Sequence, residues 1–189
     1  MTIDEKAAFY FRHRTAIEEW AALRDVARQA LIPAFWGLGD RLWASAGTDE
    51  VSLVEEESQW SRIGLRKTAW EDDGWDLSII LGWHSTWLLN PTTSTPWPYV
   101  AVHVGPEATA PAAQTRATRD RCLQTARSIG LTAPREDYFP VWGYVSPAPD
   151  VSEMTQFVDQ CLGVCQTAWR SLHTVIDDLI RQPVSRGRR

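Results

Sequence analysis

Apolar and polar residues alternate most sharply between Trp75 and Leu89. Trp75, Leu77, Ile79, Leu81, Trp83, Trp87 and Leu89 hold the odd positions, interrupted only by Ser85, while Asp76, Ser78, Gly82, His84 and Thr86 are among the even ones. Successive strand side chains point to opposite faces, so the spacing predicts a long central strand, or two strands joined at Gly82, with one apolar and one polar side. A one-residue bulge at Gly82 would invert everything after it, burying His84 and exposing Trp83 and Trp87.

Period-two patterning of the same kind predicts strands at 51–59, 62–70, 99–104 and 138–145. Ile63, Leu65 and Ala69 alternate with Arg62, Arg66 and Thr68, and Val100, Val102 and Val104 oppose Tyr99 and His103. Pro140 suits an edge strand or a bulge, since it has no amide hydrogen for a ladder. Glu71 to Gly74 and the proline-rich stretch 90–98 read as a turn and a loop.

Helical spacing dominates both ends. Thr2 and Glu5 have capping-box spacing, and residues 4–32 carry a stripe through Phe9, Ala16, Ile17, Trp20, Leu23, Ala27 and Leu31. Pro33 ends that helix or starts the next, read at 35–46 and closed by Gly47. A further helix is expected at 112–129, stopped by Gly130. The last, at 151–181, has Asp150 and Glu153 placed to cap it. Met154, Val158, Cys161, Cys165, Ala168, Leu172, Val175 and Leu179 recur at spacings of four and three, a heptad seam that matches Phe9, His13, Ala16, Trp20, Leu23, Ala27 and Ala30 near the other end.

These elements predict an α+β fold, an antiparallel sheet of five or six strands with long N- and C-terminal helices packed over one face. The expected organisation is one domain over 1–182 and a basic flexible tail at 183–189. Homodimerisation through the last helix would use the same heptad pattern.

Composition refines the picture. Eleven tryptophans among 189 residues are the anomaly, enough to dominate a core or to form an aromatic binding surface. A net charge of −5 argues against nucleic acid as the main partner, because phosphate binding needs concentrated basic surface. Only Lys6 and Lys67 among the 19 basic residues are lysines, a skew that suggests a GC-rich bacterial or phage genome. The odd cysteine count, Cys122, Cys161 and Cys165, rules out complete disulfide pairing and suits a reducing cytoplasm. No apolar run approaches the roughly 20 residues of a membrane span, so no membrane partner is expected.

Candidate chemistry gathers on the polar side of the central strand. Asp76, Ser78, His84 and Thr86, joined by Tyr99 and His103 on a neighbouring strand, could bind a ligand, hold a metal or exchange protons. Arg116, Arg119 and Arg127 share a helix sector and could bind an anion. The acidic run Glu55 to Glu57 reads as a charged sheet edge. Cys161 and Cys165 read as seam residues and not as ligands.

No catalytic motif, metal centre or cofactor is assigned. The pattern points to a non-enzymatic binding or interaction protein of a bacterial or phage multi-protein system, with a protein partner or a homodimer formed through an aromatic surface or the C-terminal helix. A small-molecule sensor or enzyme using the sheet face around His84 and His103 is the first alternative. A nucleic-acid-binding accessory protein using exposed Trp and Arg is the second.

Overall fold

The computed structural model describes residues 2–46 and 50–181, so Gly47 and the tail at 183–189 lie outside the described residues. Five strands form one antiparallel sheet in the order β1 (Val51–Glu56), β2 (Trp60–Lys67), β3 (Leu77–His84), β4 (Tyr99–Val104), β5 (Val141–Tyr144). The helices are α1 (Ile3–Trp36), α2 (Gly39–Ala46), α3 (Thr68–Asp72), α4 (Pro111–Ser128) and α5 (Met154–Arg181). The α+β architecture with long terminal helices therefore stands as the patterning predicts.

Strand register explains the two faces. Leu65, Ile79, Val102 and Val141 line up across the sheet, as do Ile63, Leu81 and Val100, and these rows enter the main core. α2 lies against β1 and β2, α5 against β3 and β4, and α4 against β4 and β5. On α5 the seam residues Val158, Cys161, Cys165, Ala168 and Leu172 are buried, so that pattern is used within the chain. Asp177, on the same helix, takes the Trp70 indole N–H at 2.8 Å and the Lys67 ammonium at 2.5 Å, tying α5 to the end of β2 and to α3.

α1 behaves differently from its expected partner. The capping box of Thr2 and Glu5 is formed. Only Leu31 and Phe35 are buried, and Phe35 meets Trp83 and Phe157 in the core. Residues 2–15 are all exposed. The helix, about 50 Å long at ~1.5 Å per residue, thus enters the core through its last turns, and among the described residues its N-terminal half packs against no other element.

Several boundaries differ from expectation for identifiable reasons. Pro33 does not stop α1: its ring forfeits one bond, but its carbonyl still accepts from Gly37 N at 3.0 Å, and the second helix starts only at Gly39. Residues 68–72, read as strand end and turn, form the short α3 before Gly74 turns at φ +74°. α5 begins at Met154 with the Gln156 side chain accepting from Ser152 N and Glu153 N, in place of a cap by Asp150. The strand expected to reach Leu89 stops at His84, whose ring accepts the amides of Thr86 and Trp87 and bends the chain. Strand β5 is an edge, as Pro140 suggests, and β1 is the other edge, which explains its carboxylates.

Candidate functional site

The outer face of the sheet has no helical layer, yet β3 and β4 are buried along their whole length. Side chains of the sheet itself supply the cover. Across all five strands runs one cross-strand row, Glu56, Arg62, Gly82, Tyr99 and Tyr144. Gly82 is bare where its neighbours are large: a Cβ there would stand 2.4 Å from Cζ of Tyr99 and 2.5 Å from its hydroxyl. The missing side chain lets the Tyr99 ring lie over β3. No bulge forms at Gly82, so Trp83 keeps the inner phase and is fully buried.

Beside Tyr99 the surface opens into a pocket of about 460 Å³. Its aromatic lining is Trp60, Tyr99, Tyr138, Phe139, Trp142 and Tyr144, and Arg62, His103 and Glu136 also line it. Tyr99 meets Phe139, Trp142 and Trp60 edge to face at 5.5, 6.2 and 6.3 Å between centroids. Trp142 meets Tyr144 at 5.0 Å and 89°. Edge-to-face contact is a geometry that the ring quadrupoles favour, so these rings hold one another in place around the opening.

The loop 132–140 forms one wall and is held at several points. Trp142 Nε1 donates to the Pro134 carbonyl at 2.7 Å, Arg119 to that of Pro140 at 2.7 Å, and Thr115 to that of Asp137 at 2.8 Å. Val104 N donates to the Tyr138 carbonyl at 2.9 Å. Within the wall, the Thr95 hydroxyl is buried without a partner among the described residues.

Each guanidinium nitrogen of Arg62 has a partner. Its guanidinium grips the Glu56 carboxylate through Nε and Nη2, and Nη1 lies 2.9 Å from His103 Nε2. A donor facing Nε2 requires the lone pair there, which is the neutral ring with its proton on Nδ1. Burial, with Arg62 adding repulsion, lowers the His103 pKa to about 3. Burial likewise pushes the Tyr99 phenol up to about 12, and Tyr144 is raised by burial and by Glu136.

The sequence-derived candidates divide. Tyr99 and His103 line the pocket; Asp76, Ser78, His84 and Thr86 do not. His103 pairs with Ser78, six residues short of His84 on β3, which separates the two imidazoles by roughly 20 Å at ~3.3 Å per residue. His84 stacks on Trp87 at 3.8 Å under the edge of Trp60 and caps the turn through Nδ1, with its pKa lowered by burial. Thr86 belongs to that turn, and its carbonyl accepts from Arg28. Ser78 is buried beside His103. Asp76, at φ +46°, accepts from Glu107 N at 3.1 Å and pins the loop after β4.

Among the arginines, Arg119 braces Pro140, Arg116 lines a second recess with Arg135 and Asp137, and Arg127 lies in the last turn of α4. They do not converge. The cysteine thiols are buried, with pKa values raised to about 12 by desolvation. Pocket residues absent from the candidate set are Trp60, Arg62, Thr95, Pro106, Glu136, Tyr138, Phe139, Trp142 and Tyr144. Trp142 and Tyr144 carry a signal, the period-two spacing of β5; Glu136 and Phe139 lie in an irregular loop with none.

No family model, curated protein or solved structure matches this chain.

A depressed His103 pKa has a definite sign for stability. Between the ordinary histidine value and about 3 the unfolded chain carries the proton and the folded chain does not, so acid favours unfolding. Stability is expected to fall as pH drops below about 6.5, by up to about 1.4 kcal/mol per unit from this group. His84, shifted the same way, adds to it. Urea unfolding from pH 7 to 4 should show a shallower decline for His103→Asn than for the unaltered chain; equal slopes would contradict the assignment.

Proposed function

We propose that this chain is a non-enzymatic binding protein whose ligand seat is the aromatic pocket on the outer sheet face. The observation that carries this reading is the pocket itself, about 460 Å³ walled by aromatic rings on a rigid sheet. That volume suits a small organic ligand or the side chain of a larger one. The wall chemistry favours binding over catalysis. The His103 lone pair is engaged by Arg62, the phenols are held protonated, and the thiols are buried in the helical layer. No nucleophile stands beside a base there. Three free thiols support a cytoplasmic setting.

A second observation favours an interaction role in the same protein. The free face of α1 exposes Phe9, Trp20 and Leu23, with Trp20 70% exposed. A second copy laid antiparallel on this helix would set Phe9 against Ala27 and Trp20 against Ala16, large against small in those two layers. His13 would meet Leu23. The α5 seam is buried within the chain, so α1 is the element left for homodimer formation. Such a dimer suits a component of a larger assembly, and the arginine-rich basic set suits a bacterial or phage source.

Two measurements test these readings. Benzyl alcohol titrated into the full chain should shift the indole N–H resonances of Trp60 and Trp142 selectively at millimolar concentration, with the response lost in Trp142→Ala. Shifts confined to the exposed Trp20 and Trp43, or none, would defeat the pocket reading. Sedimentation equilibrium should give a dimer that Trp20→Glu converts to monomer; a monomer at every concentration would remove the α1 reading.

A further inference from the structure

The pocket has a charge pattern as specific as its shape. Arg62 is neutralised by Glu56 and has its remaining arm on His103. Glu136 is different: among the described residues its carboxylate has neither a hydrogen bond nor a cationic partner, although it stands at the rim of the pocket. Its field reaches the interior: after burial it raises Tyr144, and at Tyr99 it acts against the larger, opposite effect of Arg62. The site therefore offers, at its exposed rim, one carboxylate without a partner among the described residues beside a set of tilted aromatic faces.

Aromatic faces are electron-rich and attract cations through the ring quadrupole. A primary ammonium would need acceptors for three N–H groups. The side-chain acceptors among the lining residues are the hydroxyls of Thr95, Tyr99, Tyr138 and Tyr144 and the Glu136 carboxylate, of which only the last is charged. A quaternary ammonium has no N–H to satisfy and spreads its charge over methyl groups that pack against rings. An anionic ligand would meet Glu136 while the Arg62 fork is already occupied. A neutral ligand would desolvate Glu136 without replacing its water.

Building on the pocket reading above, we propose that Trp60, Tyr99, Phe139, Trp142 and Tyr144 form an aromatic cage for a trimethylammonium group, with Glu136 as its counter-ion. The group arrives on a free small cation or on a trimethylated lysine side chain. Both present the same head to the same rings, and the pocket is open enough for a tether to leave toward solvent.

Calorimetric titration of the full chain with choline, with Nα-acetyl-trimethyllysine amide and with 3,3-dimethylbutan-1-ol separates charge from shape. The alcohol is the uncharged isostere of choline. Choline is expected to bind at least about tenfold more tightly than the alcohol, a difference of the size cation–ring contacts provide. Glu136→Gln should weaken choline about fivefold and should not weaken the alcohol. Preference for the trimethyllysine amide over choline identifies a protein side chain as the source, and the reverse identifies a free cation. Equal binding of choline and the alcohol, or indifference of choline to Glu136→Gln, overturns the cage. A chain that binds benzyl alcohol but neither cation also overturns it, and leaves the pocket reading standing. Failure of benzyl alcohol as well removes both.

Discussion

Strand β3 has to be covered on two sides by a chain that places its long helices on one. The inner side follows from apolar spacing: Leu77, Ile79, Leu81 and Trp83 enter the core under α5 and the end of α1. The outer side carries Ser78, Ile80, Gly82 and His84 and would be wet in an ordinary two-layer fold. Instead Tyr99 leans over Gly82, Trp60 and Trp87 close on His84, and Phe139 packs beside Ile80 and Ala101. Part of the tryptophan surplus thus serves as a roof made of side chains.

A roof of rings on a sheet edge leaves gaps where strands end, and the pocket is such a gap. It lies where the row Arg62, Gly82, Tyr99, Tyr144 meets the 132–140 loop. The same arrangement accounts for the electrostatics. Burial neutralises His103, Arg62 is paired with Glu56, and the phenols stay protonated, so Glu136 is the charged lining residue left without a partner among the described residues.

The alternation of 75–89 disclosed the central strand and its apolar face, and the capping box and heptads disclosed both terminal helices. What periodicity missed was contact across distance. Nothing in the sequence order of Trp60, Tyr99, Glu136 and Trp142 says that they meet, because register and loop closure decide that. Gly82 is legible as the point that decides between a bulge and a continuous strand, and the structure takes the second: the glycine makes room for Tyr99 and leaves the strand in phase. His84 and His103 shared a face in the pattern while standing at opposite ends of β3. The stripe on α1 was legible too, yet seam matching could not tell that only Leu31 and Phe35 would be buried.

Native-state amide hydrogen exchange tests the central claim most directly, because a strand covered on both faces opens only with the whole fold. The amides of Leu77–His84 should be among the slowest to exchange, close to the rate set by global unfolding, and slower than those of the edge strands Val51–Glu56 and Val141–Tyr144. Exchange in β3 as fast as at either edge would mean that the aromatic roof does not seal the outer face, and would contradict the account.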